Sequence, residues 1–150
     1  MHDIRDELRG KGWPCKLISK HANKALSVSQ DPETHGVLII AEEAERPEQR
    51  FRLLRKDDKY IMAAETTLDC VSVLGGSEHN GAPAVTLPFC DVESQYFSMV
   101  KPLKNDESCS LLTFCGKALE CFGEESGVGT RVVQWANSDQ HHQKWYVNFL

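Results

Sequence analysis

The apolar residues of this chain fall into short runs separated by polar and turn-forming residues. Four runs rich in β-branched side chains span residues 37–40, 71–74, 84–87 and 131–135. Gly, Pro and Asp punctuate the chain between them, as in Gln30-Asp31-Pro32-Glu33 and Gly75-Gly76-Ser77. Short strands at regular spacing with such turn signals predict an all-β sandwich or barrel.

A Gln-x-aromatic triplet returns at a nearly constant interval. The triplets begin at Gln49, Gln95 and Gln143, and each has an apolar stretch after it. A fixed period of this length is the signature of a repeat architecture. We therefore predict one domain over residues 1–150, with an N-terminal extension (1–12) and repeats at about 13–54, 55–103 and 104–150. About four short strands in each repeat would close a pseudo-threefold barrel with few exposed edges.

A second recurring pattern begins with Lys24, Lys59 and Lys117, which precede the next triplet by 25, 36 and 26 residues. The longer middle interval predicts an insertion of about ten residues in repeat two, within about residues 65–82. In the extension, Ile4 and Leu8 lie four residues apart between early acids and a late Arg. This predicts a short helix that ends at Gly10 or Gly12 and lies across the barrel. Residues 101–106 are the expected link between repeats two and three.

Three repeats of this length, each ending in a Gln-x-Trp-like triplet, resemble the β-trefoil of the ricin B-chain type, the R-type lectins. The resemblance covers roughly residues 13–150 and is clearest in repeat three, where Gln143-Lys144-Trp145 keeps the Trp. It implies that Phe51, Phe97 and Trp145 pack in a shared core and that the Gln side chains tie down nearby backbone. It also implies a lectin, and the sugars common in this family are galactose and N-acetylgalactosamine.

A sugar site must offer a flat aromatic ring for the apolar face of a pyranose and polar groups for its hydroxyls. In the family the ring precedes the triplet by eight to ten residues, and an acid on the neighbouring hairpin anchors the sugar. Trp135 lies eight residues before Gln143, and Glu120 stands where the family usually has Asp. The resemblance therefore implies a carbohydrate site in repeat three formed by Glu120, Trp135, Asn137, Asp139, His142 and Gln143.

The other two repeats match this site poorly. The ring position falls on Ala41 or Glu42 in repeat one and on Leu87 in repeat two, and the acid position falls on Ser27 and Met62. A remodelled site in repeat two is still an alternative, because Phe89 lies near the ring position and the expected insertion supplies polar residues. These are Asp69, Glu78, His79 and Asn80. A single site predicts weak monovalent binding, so a homodimer is the expected route to avidity.

A protein-binding trefoil is the alternative function. On fold-level analogy alone, the scaffold also serves as a protease inhibitor or a cytoskeletal module whose loops hold a protein target. The expected insertion at 65–82 favours this alternative, whereas Trp135 and Glu120 favour the lectin.

The charge and the apolar pattern of the chain limit its possible partners and location. The net charge of −5 and pI near 5.7, with no basic run, argue against nucleic acid and anionic membranes as partners. No apolar stretch is long enough to insert in a membrane, and the charged N-terminus lacks the core of a secretion signal, so a cytoplasmic protein, or one secreted without a signal peptide, is expected.

The six cysteines do not fall at equivalent places in the repeats, so mostly buried free thiols are expected, with a Cys115–Cys121 bridge as the open alternative. No metal-ligand spacing and no nucleophile motif is present, so we expect no metal, no cofactor and no catalytic residues.

Overall fold

A computed structural model describes residues 3–101 and 107–150. Over these ranges the chain forms one α-helix and antiparallel strands, and the predicted all-β class is confirmed. The elements are α1 (Ile4–Lys11), β1 (Trp13–Ser19), β2 (Ala25–Val28), β3 (Leu38–Ala41), β4 (Phe51–Lys56), β5 (Lys59–Ala64), β6 (Cys70–Val73), β7 (Ala84–Leu87), β8 (Ser98–Val100), β9 (Cys109–Leu112), β10 (Ala118–Cys121), β11 (Val132–Trp135) and β12 (Lys144–Phe149). Of the link expected at 101–106, residues 102–106 lie outside the described residues.

Six strands form the barrel. Strand β1 pairs with β12 and β4, β4 pairs with β5, and β9 pairs with β8 and β12. The ring closes between β5 and β8, where Tyr60 and Phe97 exchange backbone hydrogen bonds of 2.8 and 2.9 Å. Each of these strands therefore has a neighbour on both sides, and no barrel edge is left open.

Three hairpins cover one end of the barrel: β2–β3, β6–β7 and β10–β11. The segment entering the third strand of each repeat forms a β-bridge with the next hairpin: Val37 with Val85, Pro83 with Val133, and Arg131 with Ile39. Six barrel strands capped by three hairpins in pseudo-threefold arrangement are the β-trefoil, as predicted. The bridges bring a loop of each repeat against a hairpin of another.

The three aromatic residues of the triplets lie in one core. Phe51, Phe97 and Trp145 are 0%, 1% and 1% exposed and belong to the same buried cluster, as expected. The indole Nε1 of Trp145 donates to the Leu119 carbonyl oxygen at 3.0 Å, so its polar group is also satisfied.

The three triplet glutamines make the same local contacts. Each Oε1 accepts from the backbone N–H five residues earlier at 2.9 Å. Each Nε2 donates to the carbonyl oxygen seven residues earlier, at 2.7, 3.0 and 2.9 Å for Gln49, Gln95 and Gln143. These side chains hold the loop before the fourth strand of each repeat in one conformation.

The N-terminal extension forms the predicted short helix. Asp3 caps α1 by accepting from the Arg5 backbone N–H, and the helix ends at Lys11 before Gly12. Its fully buried Leu8 packs in a second cluster with Leu54 and Ile61 of the β4–β5 hairpin. The helix therefore lies on the barrel, as expected.

The expected insertion in repeat two is wrong. Lys59 begins β5, the first strand of its repeat, whereas Lys24 and Lys117 each precede a second strand. The true second strands begin at Ala25, Cys70 and Ala118, which precede the triplet glutamines by 24, 25 and 25 residues. The Lys pattern was misleading because β5, which pairs with β4, also begins with a Lys followed by buried apolar residues.

The strand register also corrects one site position. Glu120 pairs with Val133, and the equivalent pairs are Ser72 with Val85 and Ser27 with Ile39. The counterpart of Glu120 in repeat two is therefore Ser72, and the assignment of Met62 is wrong.

All six cysteines are free, and four of them are buried. The alternative bridge is not formed: Cys121 Sγ lies 3.5 Å from Ser19 Oγ, and Cys115 Sγ lies 3.7 Å from Gln134 Oε1. Burial raises the pKa of the Cys15 and Cys70 thiols to about 12, with the charge of Asp69 adding to the effect at Cys70.

Candidate functional site

The β10–β11 hairpin places an acid and an aromatic ring on one face. Successive side chains of a strand point to opposite faces, and Leu119, Cys121 and Val132 point into the core. Glu120 therefore points away from the core, as does Trp135, which pairs with Ala118. Trp135 is 40% exposed, whereas Glu120 is only 4% exposed.

Both residues line a cleft of about 440 Å³ at the end of this hairpin. Of the predicted site residues, the structure brings Glu120, Trp135 and His142 together in its lining. The complete lining is Glu120, Phe122, Gly123, Glu124, Trp135, Ala136, Ser138, Gln140 and His142. The volume is within the range of small-molecule sites, roughly 300–1,000 Å³.

Glu120 is the buried acid of the cleft. Its Oε1 accepts a hydrogen bond from Gln143 Nε2 at 2.8 Å, and His142 Nε2 lies 3.5 Å from the same oxygen. Among the described residues, no side chain or backbone group donates a hydrogen bond to Glu120 Oε2. Glu120 Oε2 is not among the buried side-chain atoms that lack a partner, so it is accessible from the cleft that Glu120 lines and is available to a ligand hydroxyl.

Three further predicted residues lie beside the cleft and do not line it. Gln143 is fully buried beneath Glu120. Asn137 closes its own turn by accepting from the Asp139 backbone N–H at 3.1 Å, and Asp139 pairs with Lys144. The Lys144 ammonium holds the pKa of the Asp139 carboxyl below its usual range. Because these side chains are engaged elsewhere, the structure does not bring Asn137 and Asp139 to the lining.

A loop of repeat two supports the Trp135 segment from outside the hairpin. Asn80 Oδ1 accepts from the Ala136 backbone N–H at 2.9 Å, and Gln134 Nε2 donates to the Ser77 and His79 carbonyl oxygens. A Cβ on Gly81 would lie 3.5 Å from Trp135 Cζ3, so this loop contacts the indole edge. The segment expected to be an insertion thus supports the Trp135 segment and does not line the cleft.

The turn after β10 contributes three lining residues that the sequence reasoning missed: Phe122, Gly123 and Glu124. Gly123 and Glu124 both have positive φ, 66° and 61°, and the equivalent residues in repeat two are glycines at 66° and 62°. Glycine adopts this conformation most readily and Asn or Asp less often, so a glutamate is uncommon here. A Glu where a sister repeat has Gly is the sequence signal that would have found this turn.

Repeat one supports the turn that lines the cleft. His21 Nε2 hydrogen-bonds to the Glu124 carbonyl oxygen at 2.6 Å, and its ring lies edge-on to that of His142 with centroids 6.2 Å apart. Glu124 Oε1 lies 3.8 Å from His142 Nε2. All nine lining residues belong to repeat three, while His21 of repeat one and Asn80 of repeat two hold backbone that borders the cleft.

The equivalent hairpins carry different chemistry. Repeat one has Ser27 and Ala41 where repeat three has Glu120 and Trp135. Repeat two has Leu87 and Ser72, and the Ser72 hydroxyl accepts from Gln95 Nε2 at 3.2 Å. Neither hairpin combines an acid with an aromatic ring at these positions.

The described residues contain no cluster of His, Cys, Asp and Glu suited to a metal ion. Within the same part of the chain, no helix has the length and apolar character needed to cross a membrane.

Neither the protein-family models nor the curated proteins contain a match to this chain. Among solved structures, the designed threefold-symmetric protein ThreeFoil is similar with a TM-score of 0.84 and 24% identity, over 91% of this chain and 99% of that one. The ricin B-like lectin of Macrolepiota procera, in complex with lactose, is similar with a TM-score of 0.78 and 16% identity, over 91% and 95% of the two chains.

An exo-β-1,3-galactanase from Clostridium thermocellum also contains a similar region, with a TM-score of 0.83 and 16% identity over 92% of this chain. This chain spans 30% of the galactanase. The likenesses confirm the β-trefoil fold and the predicted resemblance to ricin B-like lectins at the level of that fold. Trefoils of this shape occur both as lectins and within an enzyme.

Proposed function

We propose that this protein binds uncharged carbohydrate through the cleft of repeat three and does not alter it chemically. One observation supports the proposal above all: Oε2 of the Glu120 carboxylate accepts no hydrogen bond from the described residues and is accessible in the same cleft as the exposed Trp135 ring. A pyranose can donate a hydroxyl hydrogen bond to the Glu120 oxygen and can place its apolar face of C–H groups on the Trp135 ring.

The lining favours uncharged sugars. Its ionisable residues are Glu120, Glu124 and His142, and no Lys or Arg of the described chain lines the cleft. Carboxylates without a facing cation repel sulfate and carboxylate groups on a ligand. A neutral sugar accepts hydrogen bonds from His142 and donates them to Glu120.

Galactose and N-acetylgalactosamine are the sugars that we propose. The resemblance to R-type lectins supports this, and so does the structurally similar Macrolepiota procera lectin, which was solved in complex with lactose, a disaccharide ending in galactose. A homodimer, and a cytoplasmic location or secretion without a signal peptide, remain predictions.

The protein-binding alternative loses its main support. It depended on an inserted loop in repeat two, and the repeat has no insertion. The loop in question is also held against β11 through Gln134 and Asn80, so it is engaged with the neighbouring hairpin.

Glycan-array screening followed by calorimetric titration with the best array ligand tests the proposal, with Trp135→Ala and Trp13→Ala compared. Trp13 is a matched control, because it is 53% exposed and stacks edge-on with Phe149, away from the cleft. We expect Trp135→Ala to weaken binding about tenfold or more and Trp13→Ala to leave it unchanged. Binding that survives Trp135→Ala would move the site elsewhere, and no binding by the wild-type protein would refute the lectin function.

A further inference from the structure

We infer that Phe122 forms a second sugar subsite, so that the cleft takes an uncharged disaccharide or longer glycan and not a single sugar. This inference rests on the proposed function, because it extends the site of Trp135 and Glu120. It concerns a residue that neither the triplet pattern nor the resemblance identified.

Phe122 lies on the same side of the hairpin as the other two groups. Trp135 pairs with Ala118, the first residue of β10, and Phe122 follows Cys121, the last residue of that strand. Phe122 begins the 3-10 turn after β10. Glu120 lies between the two along the strand, and all three residues line the cleft. The two rings therefore come from opposite ends of β10, with the acid between them.

Phe122 takes no part in the core. Its side chain is 49% exposed, close to the 48% of Leu74 at the equivalent turn position, and it belongs to neither buried cluster of the described residues. The equivalent position is Leu74 in repeat two and the buried Ser29 in repeat one. An aromatic ring occurs only in the repeat that also carries Trp135 and Glu120.

The turn that presents Phe122 is held in place before any ligand arrives. The Phe122 backbone N–H donates to the Arg131 carbonyl oxygen at 2.9 Å, and its own carbonyl oxygen accepts from the Glu125 N–H at 3.2 Å. His21 anchors the carbonyl of Glu124 at 2.6 Å. A subsite fixed by contacts from two repeats loses little conformational entropy on binding.

The chemistry of this turn points to an uncharged second sugar. Phe122 offers an apolar ring for the C–H face of a pyranose, and the Glu124 carboxylate, 70% exposed, offers acceptors for its hydroxyls. A negatively charged sugar in this subsite would face the carboxylates of Glu124 and Glu120, and the lining has no Lys or Arg to compensate the repulsion.

Calorimetric titration with methyl β-galactoside and with lactose tests the subsite. We expect the wild-type protein to bind lactose about tenfold more tightly than the monosaccharide. Phe122→Ala should reduce this ratio to about one, because it weakens lactose binding more than it weakens methyl β-galactoside binding. Leu74→Ala, at the equivalent exposed position of repeat two, is the matched control and should preserve the ratio.

The outcomes separate this inference from the proposed function. Equal affinity of the wild-type protein for the two sugars, or an unchanged ratio in Phe122→Ala, would overturn the subsite and leave the Trp135 site standing. An equal loss for both sugars would instead place Phe122 in the first subsite and also overturn the inference. If neither sugar binds, the galactose proposal fails and the subsite with it. Thermal unfolding of each variant establishes that it is folded.

Discussion

Replacing Glu120 by Gln changes the charge of the side chain but hardly its shape. The Gln side chain keeps an oxygen that accepts from Gln143 Nε2, now 2.8 Å from Glu120 Oε1. The atom that replaces Oε2 becomes an amide nitrogen, which donates hydrogen bonds and no longer accepts them. The substitution therefore removes the proposed sugar anchor while preserving the contact with the protein.

We expect Glu120→Gln to stabilise the ligand-free protein. Glu120 is 4% exposed, and burial of a charged group without full pairing costs more than burial of a neutral amide. His142, 3.5 Å from Oε1, compensates this cost only in part. A gain of about 1–2 kcal/mol in the free energy of unfolding corresponds to a rise in Tm of about 2–8 °C for a domain of this size.

The same substitution should weaken sugar binding. Hydrogen bonds to a charged group contribute about 1.5–3 kcal/mol, so their loss lowers affinity about 10- to 100-fold. Calorimetric titration with lactose measures this change, and differential scanning calorimetry without sugar measures stability. We expect higher stability and weaker lactose binding in the same variant, because the wild-type carboxylate lowers stability and strengthens binding.

Glu65→Gln is the matched control. Glu65 accepts from Arg52 Nε at 2.7 Å and lies on the β4–β5 side of the barrel, so its neutralisation should lower stability slightly and leave binding unchanged. If Glu120→Gln instead destabilises the protein by more than about 1 kcal/mol, the carboxylate is structural. Unchanged affinity for lactose would remove Glu120 from the binding site.

Three further predictions concern the thiols and the supporting loop. Iodoacetamide at pH 8 should modify the exposed Cys90 rapidly and Cys15 only after unfolding. Because Cys15 has a folded pKa of about 12 against 9.0 for the free thiol, stability should fall as pH rises above about 9, and urea titrations across this range check the sign. Asn80→Ala removes the acceptor of the Ala136 N–H and should weaken lactose binding severalfold by loosening Trp135, as titration would measure, with a Tm change of only a few degrees. An unaltered affinity would show that the loop does not position the ring.

The core and the repeat number were predictable because their signals are local. Each triplet Gln bonds to backbone five and seven residues earlier, and each aromatic ring follows two residues later, so sequence spacing reports the structure directly. The same reasoning failed at Lys59. Strand β5, which begins at Lys59 and pairs with β4, resembles a second strand of a repeat in composition but is the first strand of repeat two. Counting from the triplet back to Cys70 would have avoided the apparent insertion.

By itself, the sequence indicated an all-β barrel of three repeats through the period of its triplets, and its resemblance to R-type lectins implied the β-trefoil and the acid and aromatic ring of repeat three. Only the tertiary structure showed which residues surround the Glu120–Trp135 pair. Asn80 and His21, from other repeats, bond to the backbone of Ala136 and Glu124 beside the cleft, and Lys144 pairs with Asp139. Contacts between residues far apart in the chain leave no periodic trace in the sequence, since they depend on how the three hairpins interlock.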